Sequence, residues 1–395
     1  MKEKKEILCI SQSLWEGPKR VRHNIMREFV KRGNRVIFVE AYLTWVKLIK
    51  NIKYWKIFLN IFKRPLLNNE GIFVVTAPPL LPFIEWNKTI NTINWLIISF
   101  WLKYFVIKKL DIESPYFFTF SPLTEKLIGK FNEKISIYFC NDPFKQIFKY
   151  KSAYKNIEKL ENLLTRKVNL VFCVSEKLLE ERIKYNSNTF LIPLAVNNDL
   201  FSKAYNENTI IPDDIKNLPK PIIGHIGVLN NRIDIDLIKR LSDNFVDYSF
   251  VFIGPITEID NNYKSKLNIL KSKKNIYFLG DKNEDDLPSY LKAIDVCIIP
   301  YVKDDVTKYI KANSKFFQYV SAGKPVVSTI GPKDLDENLC FSVNSYEDFI
   351  KSIEKAILTN TKTAIDKRKD FIKYHTWSNR VDEIEKIIEE YLKNK

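Results

Sequence analysis

Short apolar, β-branched runs alternate along the chain with stretches whose apolar residues recur at helical spacing. That is the pattern of parallel sheets covered by helices. In the first half, Glu6–Ser11 reads as a strand, 21–32 as a helix closed by Gly33, and Arg35–Glu40 as the next strand. Ile72–Thr76, 116–120, 136–140 and 170–174 read as further buried strands, with a last one at 189–193. From about 198 to 221 the rhythm stops. The stretch AYNENTIIPDDIKNLPKP is polar and bears prolines, as a linker between domains does. A second series follows at Ile222–Ile226, Ser249–Ile253, 275–279, 296–300 and 325–329.

The chain is therefore expected to be α/β, with two Rossmann-like doubly wound domains facing a cleft. The boundaries drawn are 1–200 for an N-terminal domain, 201–220 for the linker and 221–376 for a C-terminal domain. A final amphipathic helix, 377–395, is expected to pack back across the domains through Val381, Ile384, Ile387, Ile388 and Tyr391, with Trp377 as its anchor. Ligands of such folds lie beyond the carboxyl ends of the strands.

Composition narrows the function classes. With 45% hydrophobic and 28% charged residues the chain has ordinary globular make-up. Its net charge of +16 calls for an anionic partner: nucleic acid, anionic lipid or a phosphorylated substrate. Cys9, Cys140, Cys173, Cys297 and Cys340 are scattered through apolar runs without metal-ligand spacing, so they read as reduced core thiols of a cytosolic protein. Three histidines make a histidine-rich metal site unattractive. The start, MKEKKEILCISQS, is too short and polar for a secretion signal. The longest apolar run, 95–102, stops at Lys103, so no membrane-crossing segment is expected.

The most informative segment is VCIIPYVKDDVTKYIKANSKFFQYVSAGKPVVST, 296–329. A strand ends at Pro300-Tyr301, a charged loop follows, and a helix starts at Asn313 and ends at Gly323. Asn313 suits an N-cap, and the first-turn N–H groups of Ser314 and Lys315 then favour a bound diphosphate. Lys315 adds a cation there. Gln318, on the same face, carries an amide able to meet sugar hydroxyls. A capped helix with solvated polar residues fits the same spacing.

Together these blocks resemble the nucleotide-binding end of GT-B glycosyltransferases, of the teichuronic-acid type and the xanthan-pathway glucuronosyltransferase type. The resemblance extends through LWEGPKRVRHNIMREFVKRGNRVIFVE, ISIYFCNDPF, VNLVFCVSEKLLEE and LIPLAVNNDLF in the first half. It continues through PIIGHIGVLNNRIDIDLI, SFVFIGPI and NIYFLGDKNEDDLPSYLKAIDVCIIPY in the second. Many retaining members carry two Glu residues separated by seven; here those positions hold Ile310 and Gln318, which points away from retention. The resemblance implies that Tyr301 lies near the nucleotide, Lys315 touches phosphate and Gln318 serves the ribose or nucleotide. It also implies that Gly227 and Arg232, after the first strand of the second domain, face the donor diphosphate.

If the transfer inverts the anomeric centre, a base must take the acceptor's proton. Asp142, at the end of a strand in YFCNDPF, is the candidate, although Asn-Asp-Pro also makes ordinary turns. Glu176 is the weaker alternative, and Ser175-Glu176 equally fits a helix cap. The first loop, 11–24, carries Trp15, Gly17, Pro18, Lys19, Arg20, Arg22 and His23. Arg22 and His23 are the candidates there to meet the acceptor or a diphosphate. Residues 279–282 can offer backbone groups to the base. His225 reads as a packed strand residue, and His375 has no partner visible in sequence.

Two stretches, 45–67 and 86–110, interleave Trp, Phe, Tyr and aliphatics with lysines, including Lys47, Lys53, Arg64, Lys103 and Lys108. Basic aromatic helices suit a bilayer interface, where anionic lipid contributes about 1 kcal/mol per basic residue. They also suit ordinary covering helices. The function expected is a hexosyltransferase-type glycosyltransferase (EC 2.4). It would move a sugar from a UDP-sugar to a surface-polysaccharide or lipid-linked acceptor, with inversion and retention both open, in the cytoplasm at the inner face of a bacterial cell membrane. A UDP-sugar epimerase of the same fold is the alternative. No metal or cofactor is expected, there being no Asp-x-Asp motif in place. No nucleic-acid partner is expected either, since no recognisable module accompanies the charge.

Overall fold

The computed structural model describes residues 4–395 except 18, 42, 64, 148–150, 258, 310–311 and 332–334. Pro18, Arg64 and Ile310 of the sequence reading lie outside the described residues, as does the side chain of Lys53. The chain divides into two units, Met1–Pro193 with Arg380–Lys395, and Leu194–Asn379.

The first unit is built on β1 (Glu6–Ser11), β2 (Arg35–Glu40), β3 (Leu66–Leu67), β4 (Ile72–Thr76), β5 (Tyr116–Thr119), β6 (Ile135–Cys140), β7 (Leu170–Cys173) and β8 (Thr189–Leu191). They form one sheet in the order β3-β4-β2-β1-β5-β6-β7-β8, parallel except for β3 against β4. The second unit holds β9 (Ile222–Ile226), β10 (Ser249–Ile253), β11 (Ile276–Gly280), β12 (Val296–Ile299), β13 (Val326–Ser328) and β14 (Cys340–Ser342). Their order is β11-β10-β9-β12-β13-β14, parallel throughout. Strands such as ISIYFC and VCII read as unbroken apolar runs because helices cover both sheet faces, and every residue of each is buried. A slip of one register would expose side chains whose burial is worth about 1.5–3 kcal/mol each.

Strand order reverses direction next to the first strand of each unit, between β1 and β5 and between β9 and β12. At such a switch point the connecting loops part to opposite faces and leave a crevice at the carboxyl edge. Residues following β1, β5, β9 and β12 are thus placed for ligand contact.

Four differences from the sequence reading have physical causes. The stretch 201–220 is no free linker: Phe201, Ala204 and Ile215 are buried in the core of the second unit, amid exposed polar neighbours that disguise them. The strand β14 was not anticipated because CFS is only three residues long. The final helix, Trp377–Lys393, is divided: its body belongs to the first unit, with Lys5 Nζ donating to Glu385 at 2.6 Å and Arg380 Nε to the Pro193 carbonyl at 3.0 Å. Lys103 does not end the helix that starts at Lys88. A π-turn over Lys103–Ile107 carries it to Leu110, long and apolar enough by length and composition to cross a membrane.

Candidate functional site

In the second unit the switch point is lined from both sides. Gly227 follows β9, and its φ of +142° is glycine territory. A Cβ at that position would lie 2.1 Å from Lys315 Cε, so the lysine stem passes directly over the glycine backbone. Lys315 Nζ donates to the Tyr301 hydroxyl at 2.9 Å, just beyond β12. The helix Ser314–Ser321 is fixed there by Tyr319: the Ile226 N–H donates to its hydroxyl at 2.8 Å, and that hydroxyl donates to the Ile226 carbonyl at 3.2 Å.

Asn313 caps this helix, its Oδ1 accepting from the Phe316 N–H at 2.9 Å. Its buried Nδ2 has no partner among the described residues. The first-turn N–H groups, those of Ser314 and Lys315 among them, point outward along the axis at the positive end of the helix dipole. Ser314 is exposed and Gln318 half-buried. The loop after β9 is zipped to the loop after β12: Val302 N–H donates to the Arg232 carbonyl at 2.8 Å, Asp234 N–H to the Pro300 carbonyl at 2.7 Å, and Ile233 bridges Tyr301. Gly227, Arg232, Tyr301, Asn313, Ser314 and Lys315 therefore gather at one edge, with Gln318 one turn further along the same helix. A glycine backbone, a lysine and a helix start at one edge are suited to a diphosphate.

Behind this edge His225 is fully buried, its Nδ1 2.9 Å from the Ile298 carbonyl. Burial, with Lys315 nearby, pushes its pKa down to about 3. The sign follows from linkage. The unfolded chain takes up the proton near 6.5 while the native chain refuses it. The neutral ring's contribution is therefore complete above 6.5 and is lost as pH falls toward 3. A His225→Asn variant should remove about 1.4 kcal/mol per pH unit from the slope of unfolding free energy between pH 6 and 5. Identical slopes for the variant and the parent in denaturant titrations would contradict this.

In the first unit, Arg22 is buried with its guanidinium 5.7 Å from the Phe120 ring and Nη1 3.4 Å from Ser13 Oγ. Burial lowers its pKa to about 10, with Arg20 acting in the same direction, while the Asp142 carboxylate pulls the other way. Arg22 and Asp142 thus feel each other at the carboxyl edge of β1, β5 and β6. Asn141 and Asp142 form a turn, with Phe144 N–H donating to the Asp142 carbonyl at 2.9 Å and Asn141 Nδ2 donating to the Asp142 carboxylate. Asp142 is half-buried in this turn. Glu176 opens its helix behind the N-cap Ser175, whose Oγ accepts from Leu178 N–H.

His23 is corrected. Its ring is fully buried, Nδ1 accepting from Arg20 N–H at 3.0 Å and Nε2 3.0 Å from the Leu14 carbonyl, with Trp15 and Phe38 against it. Burial chiefly lowers its pKa to about 4. Both nitrogens are spent on shaping the loop, which leaves none for an acceptor or diphosphate.

Sequence reasoning missed Glu40 and Tyr319. Glu40, buried at the end of β2, accepts from Trp15 N–H at 2.5 Å and from Thr76 Oγ1 at 3.2 Å, anchoring the first loop. A carboxylate closing the apolar strand RVIFVE was the available signal. Tyr319 had none, since a tyrosine on an apolar helix face reads as core. His375 stacks on Phe371 with ring centroids 4.2 Å apart. Among the described residues no three His, Cys, Asp or Glu side chains are grouped to hold a metal ion.

Comparison with known proteins agrees with this architecture. Residues 220–359 match the family model described as Glycosyl transferases group 1. A Bacillus subtilis (strain 168) chain, TuaH, named as a teichuronic acid biosynthesis glycosyltransferase, is 24% identical over 233 residues. That match covers 57% of this chain and 57% of TuaH, a little over half the length of each. Sucrose-phosphate synthase (tll1590) from Thermosynechococcus elongatus superposes with a TM-score of 0.70 at 12% identity, covering 99% of this chain and 100% of that one. Anabaena Alr3699/HepE in complex with UDP-glucose gives 0.66 at 13% identity, covering 98% and 99%. The chain accordingly has the GT-B fold, and over residues 220–359 it is similar to the glycosyl transferases group 1 family.

Proposed function

We propose that the chain is a glycosyltransferase that takes a sugar from a UDP-sugar and passes it to a surface-polysaccharide or lipid-linked acceptor. The observation that carries this is the crevice of the second unit, where Lys315 arches over Gly227 at the start of a capped helix. In this reading the donor diphosphate rests on the first-turn N–H groups of Ser314 and Lys315 and on the Lys315 ammonium, with Arg232 reaching it from the loop after β9. Tyr301 positions the lysine, and Gln318 meets the ribose or base. As charge builds on the leaving diphosphate, these fixed donors stabilise it without a metal ion. Asp142 takes the acceptor proton, with the Arg22 guanidinium facing it. Five buried, unpaired cysteines support placing this work in the cytoplasm.

Support comes from the group 1 match over 220–359 and from TuaH, a relative named as a glycosyltransferase. The test is thermal stabilisation by nucleotide sugars. A UDP-sugar at about a hundred times its Kd should add roughly 2.7 kcal/mol, and sugar transfer should require an added acceptor. No stabilisation by any UDP-sugar would refute the donor assignment. Conversion of a UDP-sugar to its epimer without acceptor would establish the isomerase alternative.

Gly227→Ala probes the close approach. The variant strains a φ of +142° and drives Cβ into the lysine stem, so Lys315 must leave Tyr301. UDP affinity should fall about tenfold, or roughly 1.4 kcal/mol. Unchanged affinity by calorimetry would mean that the lysine does not serve the donor from this position.

A further inference from the structure

The helix Lys88–Leu110 is apolar on two opposite faces. One face, with Trp95, Ile98, Leu102 and Val106, is buried in the first unit. The other presents Ile93, Leu96, Ile97, Phe100 and Tyr104 to solvent, and Phe100 is 61% exposed. Steps of three and four residues keep those five on one stripe. A soluble covering helix has a polar outer face; this one does not. Crossing a bilayer would pull the inner face out of its core, so the helix is built to lie against an apolar surface rather than span one.

The stripe continues onto neighbouring elements. Leu81 N–H donates to Asn94 Oδ1 at 2.7 Å, and Asn94 Nδ2 donates back to the Leu81 carbonyl at 3.2 Å. Trp45 N–H donates to the Leu80 carbonyl at 3.1 Å, so one loop braces this helix and the turns that begin at Trp45. Those turns expose Ile49 at 81% and Ile52 at 85%. The loop itself carries Phe83, a non-glycine residue with φ +66° and 60% exposure, followed by the exposed Trp86. Neither the backbone conformation nor the fold's interior gains from an aromatic ring at Phe83.

Charge identifies what covers this face. Residues 45–67 and 86–110 contain no acidic residue, and Lys50, Lys56, Lys88, Lys103, Lys108 and Lys109 are all exposed. Two copies of such a face would repel each other. A surface that is both apolar and anionic satisfies both features.

We propose that this face of the first unit docks in the interface of an anionic phospholipid bilayer, with the Lys88–Leu110 helix in the membrane plane and Phe83 as an inserted wedge. The ammonium groups meet lipid phosphates while the stripe enters the acyl boundary. The inference stands on the first unit alone and does not rest on the donor reading.

The test is flotation of the full chain with vesicles of phosphatidylcholine alone, or with about one-third phosphatidylglycerol. The chain should float with the anionic vesicles and about tenfold less with the neutral ones, and high salt should reduce binding. Leu96→Glu with Phe100→Glu should cut flotation about tenfold while melting temperature stays close to the parent's, because both side chains already face water. Ile49→Glu with Ile52→Glu serves as a second, independent variant. Phe83→Gly, which the backbone accepts, should weaken binding several-fold. Leu358→Glu, an exposed apolar position of the second unit, should change nothing. Failure of the parent to float with anionic vesicles overturns the proposal, as does equal flotation of both Glu variants. So does a lipid-free dimer that the same variants split in sedimentation velocity, since a second copy would then own the face.

Discussion

Asp142→Asn is expected to lower turnover by about 10²–10⁴-fold, the range over which a positioned base contributes, while leaving UDP affinity unchanged. The substitution keeps the shape of the turn, because the Asp142 carbonyl still accepts from Phe144 N–H. It removes the capacity to accept a proton, together with the negative charge that faces Arg22. Donor affinity should survive because the proposed diphosphate contacts all belong to the second unit. The decisive readout is the split: kcat falls while UDP binding by calorimetry does not. Full turnover would remove Asp142 from the chemistry and return Glu176 to consideration. Loss of both together would show that the turn had collapsed and that its role was structural.

Lys315→Ala carries the second large effect. A charge-assisted hydrogen bond contributes about 1.5–3 kcal/mol, so Kd for UDP should rise roughly 10- to 150-fold. Removing the stem also frees the Gly227 backbone it covers, so Lys315→Met separates charge from packing. Met should restore the cover but not the affinity. Lys271→Ala, an exposed lysine elsewhere in the second unit, should leave binding unaltered. If it weakens UDP as much as Lys315→Ala does, general positive charge rather than this crevice holds the nucleotide.

Legibility in the sequence followed burial. Strands β1, β6, β9 and β12 were readable because both faces are covered, which forces unbroken apolar runs. The start of the Asn313 helix was readable because capping chemistry is local, spanning Asn313 to Phe316. Contacts between distant segments left no periodic trace. That Lys315 would arch over Gly227, 88 positions earlier in the sequence, required the strand order β9-β12. His23 was misread for the same reason. VRHN is locally basic, and only Trp15 and Phe38 closing on the ring turn it inward. The segment 201–220 misled because three buried anchors, Phe201, Ala204 and Ile215, sit among residues chosen for solvent.

Where an anionic nucleotide settles on the second unit is answered directly by a crystal of the full chain grown with UDP. The distal phosphate should accept from Lys315 Nζ and from backbone N–H groups at the start of the Asn313 helix, within about 3.2 Å. A nucleotide bound elsewhere on the second unit, or a chain with no measurable affinity for UDP, would contradict the central claim.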